Sequence, residues 1–285
     1  MNTQVPVEFM IAPRARKAIK GQWPVALPIG FIAGILNTLV QVVFLLTLTP
    51  VMNEVTGLMQ KGFPLEYITQ WIQQNMLPAL VPSALTWLAA VLVTPALSLG
   101  MHAYTLKLLR GEEGRIMDVF CRMNIFGKGL WLSLMIGLRV LLWSLAGVGA
   151  YLGLVYLMTV AGMYNLVMSL LPVLATLATI PGFVAMLRYK VADFALADLP
   201  DTKVSEAMRT SRALTHKRKL RLVSLLVGWV LLANLVSLLM SGSVFGMALS
   251  MLASLICAVY MEVLTGSYYL TFREADEAQF AENRE

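Results

Sequence analysis

Charge is the first thing this chain lacks. Only 13% of its 285 residues are Asp, Glu, Lys or Arg, about half of the roughly 25% carried by soluble globular chains. With 58% hydrophobic residues and a mean hydropathy of +0.73, a water-soluble core is excluded. Cysteine is scarce too. Cys121 and Cys257 fall in separate segments, so no disulfide or redox motif is expected and both read as packing residues. The two histidines, His102 and His216, lie near the ends of apolar segments and read as interfacial polar residues. There is no Gly-x-Ser-x-Gly elbow, His-Glu-x-x-His, phosphate-binding glycine loop or Cys/His metal cluster. An intramembrane hydrolase would need paired aspartates, or serine with histidine, inside membrane spans, and neither is expected there. Catalysis is not expected, and no cofactor is implied. Residues 1–23 are basic and amphipathic and lack an apolar stretch ending in a small-residue cleavage site, so a cleavable signal peptide is not expected.

What is present is apolar sequence in long blocks. Uncharged runs extend over Gly21–Asn53, Tyr67–Leu106, Val140–Leu187 and Leu222–Met261. A helical crossing needs about 20 such residues, so each run must be divided. As one helix, Val140–Leu187 would be about 70 Å long against a hydrocarbon core of about 30 Å. Ala161-Gly162-Met163-Tyr164-Asn165 is the expected bend there, and Ser241-Gly242-Ser243 the bend in the last run. The fold class that follows is all-α: a polytopic integral membrane protein with one transmembrane domain over 1–285. Six spans are expected, at about 24–49, 79–101, 129–160, 165–187, 220–241 and 244–271, arranged as three hairpins.

Basic residues then orient the chain. Of the 22 Lys and Arg residues, all but Lys61 and Arg139 lie in the N-terminal segment, in alternate connections or in the tail after the sixth span. By the positive-inside rule both termini are cytoplasmic, in a bacterial inner membrane. The cytoplasmic parts are the amphipathic segment 1–23, the basic loop 188–219 and the tail 272–285. The external part is residues 50–78, whose Leu65, Ile68 and Ile72 at helical spacing predict a helix lying flat on the membrane, a cap or a lid over the first hairpin. The high pI of about 9.4 follows from charges flanking apolar spans, where anionic headgroups attract them. Nucleic acid is not an expected partner; the bilayer is, with a membrane protein or a second copy of the chain as further possibilities.

Short basic amphipathic segments precede the odd-numbered spans: Arg14–Trp23, Arg115–Gly129 and Ser205–Leu220. These stubs are expected to lie in the membrane plane with apolar side chains directed downward. They serve either as topology anchors or as a collar that binds headgroups or a partner, with Arg14, Arg16, Lys17, Lys20, Arg209, Arg212, Lys217, Arg218 and Lys219 as the contact residues. Pro200 ends one helix, and Asp201, Thr202 or Ser205 can cap the next, with Glu206 in its first turn.

Ile180-Pro181-Gly182, Tyr189, Leu196-Ala197-Asp198-Leu199-Pro200-Asp201, Ser205-Glu206-Ala207-Met208 and Ser211-Arg212-Ala213-Leu214 form a denser pattern. With the opening stretch Arg16–Trp23 and the aromatic finish Tyr260, Tyr268-Tyr269, they resemble the bacterial integral membrane family catalogued as domain of unknown function 975. A more distant similarity is to other six-helix families, including the membrane domain attached to some glycerophosphodiester phosphodiesterases. The resemblance implies a fold and no catalytic residues. Trp143 and Pro181 stand farther apart than in the family pattern, which implies lengthened third and fourth spans and a kink at Pro181.

Two charges remain inside spans. Arg139 follows Lys128, and Glu262 precedes Arg273, by the same number of residues, about 16 Å of helix. A mid-bilayer Arg costs at least about 2.5–3.5 kcal/mol, much of which a carboxylate at the same depth offsets. An Arg139–Glu262 contact between spans three and six is therefore expected, as a static clamp or, with Asn37, Gln41, Asn165 and Asn234, as a polar site. Two functions follow: a non-catalytic envelope protein that binds lipids or protein partners through its collar, or a transporter of a small amphiphilic or anionic compound. Buried charges sealed between helices favour the first, and charges lining a cavity the second.

Overall fold

A computed structural model describes residues 7–216, 218–240 and 244–282, and among these residues it contains helices and no strand. The helices are α1 (Ile11–Ile19), α2 (Trp23–Gln60), α3 (Leu65–Leu109), α4 (Phe126–Val160), α5 (Tyr164–Tyr189), α6 (Ala192–Asp198), α7 (Val204–Thr215), α8 (Lys219–Met240) and α9 (Val244–Glu282). Two short 3-10 turns, Ile116–Phe120 and Met123–Ile125, link α3 to α4. Six segments are long and apolar enough to cross a membrane: Thr38–Gln60, Leu65–Leu109, Ile116–Val160, Ser169–Asp198, Lys219–Val236 and Leu249–Gln279. This is a multi-pass membrane protein.

Residues 50–78 are not a separate loop with a flat helix. They are the facing ends of α2 and α3, joined by the turn Lys61–Pro64. Pro50, Pro78 and Pro82 all sit inside these helices, where neighbouring helices and local adjustment accommodate the lost backbone bond. Gly62 adopts φ +74°, and Phe63 N–H donates to the Leu58 carbonyl, closing the end of α2. Val55 and Leu58 pack on Ile68, with Trp71 and Ile72 beside them, so Ile68 and Ile72 of the expected membrane-facing stripe are covered by the other helix while Leu65 stays exposed. Deeper in the pair, the Thr47 and Ser83 hydroxyls share a 2.8 Å hydrogen bond.

The bend after α4 falls at Ala161–Met163, with Gly162 at φ +75°. The two helices approach closely because glycine faces each contact. A Cβ at Gly147 would overlap the Ala178 carbonyl oxygen, and one at Gly182 would overlap Ser144 Oγ. Helix α5 runs unbroken through Pro181. The expected Ser241–Ser243 bend lies outside the described residues. Helices α8 and α9 meet through Trp229 and Tyr260, whose rings are 4.4 Å apart.

Tight packing is concentrated at the basic end of the bundle. Tyr268, Tyr269, Phe194, Leu106, Leu196, Ile11 and Val119 are buried there, whereas Leu142, Trp143 and Leu231 along the long helices stay exposed. Apolar side chains in hydrocarbon need no protein cover, so the buried core forms where the chain meets water. The same core absorbs the amphipathic segments. Helix α1 buries Ile11, Ala15 and Ile19 against α3 and α9, and Ser267 Oγ donates to the Ile11 carbonyl at 2.8 Å. Helix α7 buries Ala207, Met208, Ser211 and Leu214, with Ser211 Oγ bonded to the Arg188 carbonyl at 3.0 Å. These apolar faces rest on protein, where the sequence pattern alone pointed them into lipid. The Arg115–Gly129 segment is two 3-10 turns leading into α4, not a helix of its own, and Gly100 lets it lie directly on α3 beside the Val119 backbone.

Candidate functional site

The expected Arg139–Glu262 pair does not form. Arg139 Nη1 instead donates to the Tyr189 hydroxyl at 3.1 Å, with its guanidinium carbon 5.3 Å from the Tyr189 ring centre. Arg212 Nη2 donates to the same oxygen, also at 3.1 Å. Equal distance from the basic ends did not bring α4 and α9 together, because α3 and α5 are the direct neighbours of α4.

Glu262 is satisfied by histidine: His102 Nδ1–H donates to Glu262 Oε1. On the opposite edge of the imidazole, Nε2 faces Asp193 Oδ2 at 4.0 Å. The His102 and Glu262 side chains are 12% and 13% exposed and that of Asp193 31%, and the Phe194 ring packs tilted against the imidazole with ring centres 4.5 Å apart. His102 comes from α3, Glu262 from α9, and Asp193 from α6, whose seven residues hold the carboxylate under the end of the bundle. The carboxylates occupy opposite edges of the ring and do not converge on one point. Among the described residues no group of three or more His, Cys, Asp or Glu is placed to hold a metal ion.

This cluster forms the floor of a cavity of about 1180 Å³, at or above the upper end of the range of roughly 300–1,000 Å³ for ligand pockets. One face of each of four helices builds the walls. Helix α4 contributes Leu130, Ser133, Leu134, Gly137, Leu138 and Leu141, a continuous three-and-four spacing. Helix α3 contributes Trp87, Val91, Thr94, Ser98 and His102; α9 adds Leu255, Ala258 and Glu262; α2 adds Gly30, Ala33, Gly34 and Gln41. Lys190 joins His102, Glu262 and Asp193 at the floor. Small residues create the space: a Cβ on Gly34 or Gly137 would meet no atom within 4 Å. Trp87 to His102 covers about 22 Å along α3, the length of a long alkyl chain. Two backbone and side-chain features add polarity to the wall. Pro95 offers no N–H to the Val91 carbonyl, and Thr94 Oγ1 is buried without a hydrogen-bond partner.

The basic collar sorts into two groups. Arg14 holds Glu274 through two bonds of 2.7 and 2.8 Å. Arg212 is held by Tyr189, and Arg218 lies 4.3 Å over the Phe272 ring and 3.7 Å from Asp276. Arg16, Lys17, Lys20 and Arg209 are exposed, and Lys219 is half-buried. Lys217 lies outside the described residues. Of the polar residues proposed to line a site, Gln41 faces the cavity, whereas Asn234 returns its amide to the Val230 carbonyl at 2.8 Å. The side chains of Asn37 and Asn165 lie outside the described residues.

Asp198 is the second centre of the collar. Its side chain is 4% exposed. It receives Arg110 from α3 at 2.5 Å, Arg273 from α9, and the Tyr269 hydroxyl at 3.2 Å. Tyr268 Oη donates to the Leu214 carbonyl at 3.2 Å. The motif residues of the sequence pattern therefore lock α3, α5, α6, α7 and α9 to one another. A family model described as "Protein of unknown function (DUF975)" matches residues 11–276. The chain belongs to the DUF975 family. No curated protein and no solved structure matches it. The DUF975-like pattern at Tyr189, Asp198, Ser211, Arg212 and Tyr269 is the part of this chain that fastens the collar; all four ionisable floor residues, His102, Lys190, Asp193 and Glu262, lie outside the motifs that carry the resemblance. Sequence reading placed His102 at the interface and passed over Asp193 and Lys190. The available signal was a titratable residue, His102, within the otherwise uncharged Tyr67–Leu106 run.

Proposed function

We propose that this chain is a non-catalytic multi-pass protein of a bacterial cytoplasmic membrane that binds and relocates a small amphiphile in the cavity between α2, α3, α4 and α9. In this reading three helical hairpins cross the bilayer, both termini are cytoplasmic, and the basic collar sits at the inner headgroup level. The observation that carries the reading is the cavity itself: a slot with long apolar walls and a floor of His102, Glu262, Asp193 and Lys190. An apolar tail fits the walls and a polar head fits the floor. Exposed Leu134, Leu138 and Leu141 on the α4 side leave that wall open toward lipid, a route by which an amphiphile enters from the membrane. A carboxylate that lines a cavity, not one sealed between helices, favours movement of a ligand over a static scaffold.

The test is ligand-dependent stability. Purified full-length protein, titrated with fractions of a lipid extract from its own membrane, unfolds at a higher temperature when an occupant binds. Gly137→Leu, which fills open space in the cavity, abolishes that rise. If no fraction raises the unfolding temperature, or the rise is the same in Gly137→Leu, the cavity is not a binding site.

A second reading rests on the exposed Arg16, Lys17, Lys20 and Arg209: a scaffold that holds anionic headgroups or a protein partner at the collar. It predicts that charge reversal at these four positions, and not Gly137→Leu, removes the stabilisation.

A further inference from the structure

We infer that the amphiphile taken by the cavity carries a positively charged head, an amine or quaternary ammonium group, and that Glu262 is its principal partner. The inference rests on the amphiphile reading and specifies its ligand. The floor presents two carboxylates, Glu262 and Asp193, against one ammonium, Lys190, with His102 between the carboxylates. Arg139, the cation that would have favoured an anionic head, is absent from the lining and is held by Tyr189. Three further guanidiniums near the basic end are directed elsewhere: Arg110 and Arg273 are taken by Asp198, and Arg212 by Tyr189.

The Glu262 carboxylate is hydrogen-bonded to an imidazole, a partner that an ammonium can replace without leaving a buried acceptor unpaired. An anionic head at the same place would face the Glu262 carboxylate across a low-dielectric slot, where like charges repel far more strongly than in water. Higher on the wall, Trp87 adds an aromatic ring to the lining, a residue type that attracts a cationic group entering the slot. A head that also carries an anionic group, as a zwitterion does, can place it at Lys190 while the ammonium remains at Glu262.

Tetraphenylphosphonium and tetraphenylborate, lipophilic ions of nearly equal size and opposite charge, test the sign directly. The full chain is reconstituted in phosphatidylcholine nanodiscs, and saturable binding of each ion is measured by equilibrium dialysis against empty nanodiscs. Thermal unfolding of every variant serves as the folding control. Tetraphenylphosphonium binds saturably, and Glu262→Gln weakens it tenfold or more, whereas Glu262→Asp retains most of the binding. Asp193→Asn, an independent variant on the same floor, weakens it by a smaller factor, and Lys190→Ala strengthens it. Saturable binding of tetraphenylborate alone, lost in Gly137→Leu, overturns the cationic head and leaves the amphiphile cavity standing. Phosphonium binding unaffected by both Glu262→Gln and Asp193→Asn also overturns it. Saturable binding of neither ion counts against the cavity as a ligand site altogether.

Discussion

The hydroxyl of Tyr189 accepts a hydrogen bond from Arg139 Nη1 at 3.1 Å, tying an arginine in the middle third of α4 to the end of its neighbour α5. Arg212 reaches the same oxygen from α7. A single phenol thus supplies a hydrogen-bond acceptor to Arg139 and Arg212 together. Tyr189→Phe removes the acceptor for both guanidiniums and destabilises the protein by about 1–3 kcal/mol, the scale of leaving partly buried donors unpaired. Thermal unfolding in nanodiscs measures it. The exchange Arg139→Glu with Glu262→Arg recovers none of the stability lost in the single variants, since these side chains are not partners.

Asp198 carries a heavier load. Its side chain is almost fully enclosed and is shared by arginines from α3 and α9. Asp198→Asn leaves Arg110 and Arg273, both partly exposed, without their carboxylate and costs about 1–3 kcal/mol, less than a fully buried pair because water reaches the guanidiniums left behind. The expected result is a fall in the yield of folded protein and in its unfolding temperature. Retention of wild-type stability would show that the collar is held together by apolar contacts alone.

Glycines in this chain divide by what they face. Gly100 and Gly147 lie against backbone, Val119 and Ala178 respectively, and backbone cannot move aside as a side-chain end can. Gly100→Ala and Gly147→Ala therefore lower the unfolding temperature sharply, by separating elements that must touch. Gly137→Leu, facing open space, leaves the unfolding temperature of ligand-free protein within the range of ordinary surface substitutions, about ±0.5 kcal/mol. The contrast is read in one thermal series.

Topology is tested at the two ends of the bundle. Lys61, at the turn between α2 and α3, and Arg16, on the exposed face of α1, are expected on opposite sides of the membrane. Single cysteines at these positions, in a chain with Cys121 and Cys257 replaced by serine and alanine, react differently with an impermeant maleimide in intact cells. Position 61 is labelled and position 16 is not. Labelling of both, or of position 16 alone, contradicts the assigned orientation.

The helices were legible in the sequence because apolar block length and charge placement are local properties. The bend at Gly162 emerged where glycine interrupted too long a run. Contacts between helices were not legible in the same way. Arg139 and Glu262 share a distance from their basic anchors, but depth says nothing of which helix lies beside which, and α3 supplied His102 to Glu262. Amphipathic periodicity in α1 and α7 marked one covered face correctly, yet cannot distinguish lipid from Tyr268 and its neighbours as the cover. The cavity was hidden for a related reason. Gly34, Gly137 and Ala258 carry no chemical signature, and the space they leave exists only when four helices are assembled.

Native mass spectrometry of the full chain, extracted gently from its own membrane, tests the central claim most directly. The account predicts a stoichiometric bound amphiphile on the wild-type protein, absent from Gly137→Leu at equal folded yield. Wild-type protein that carries no bound small molecule, or carries the same one whether or not the cavity is filled, contradicts it.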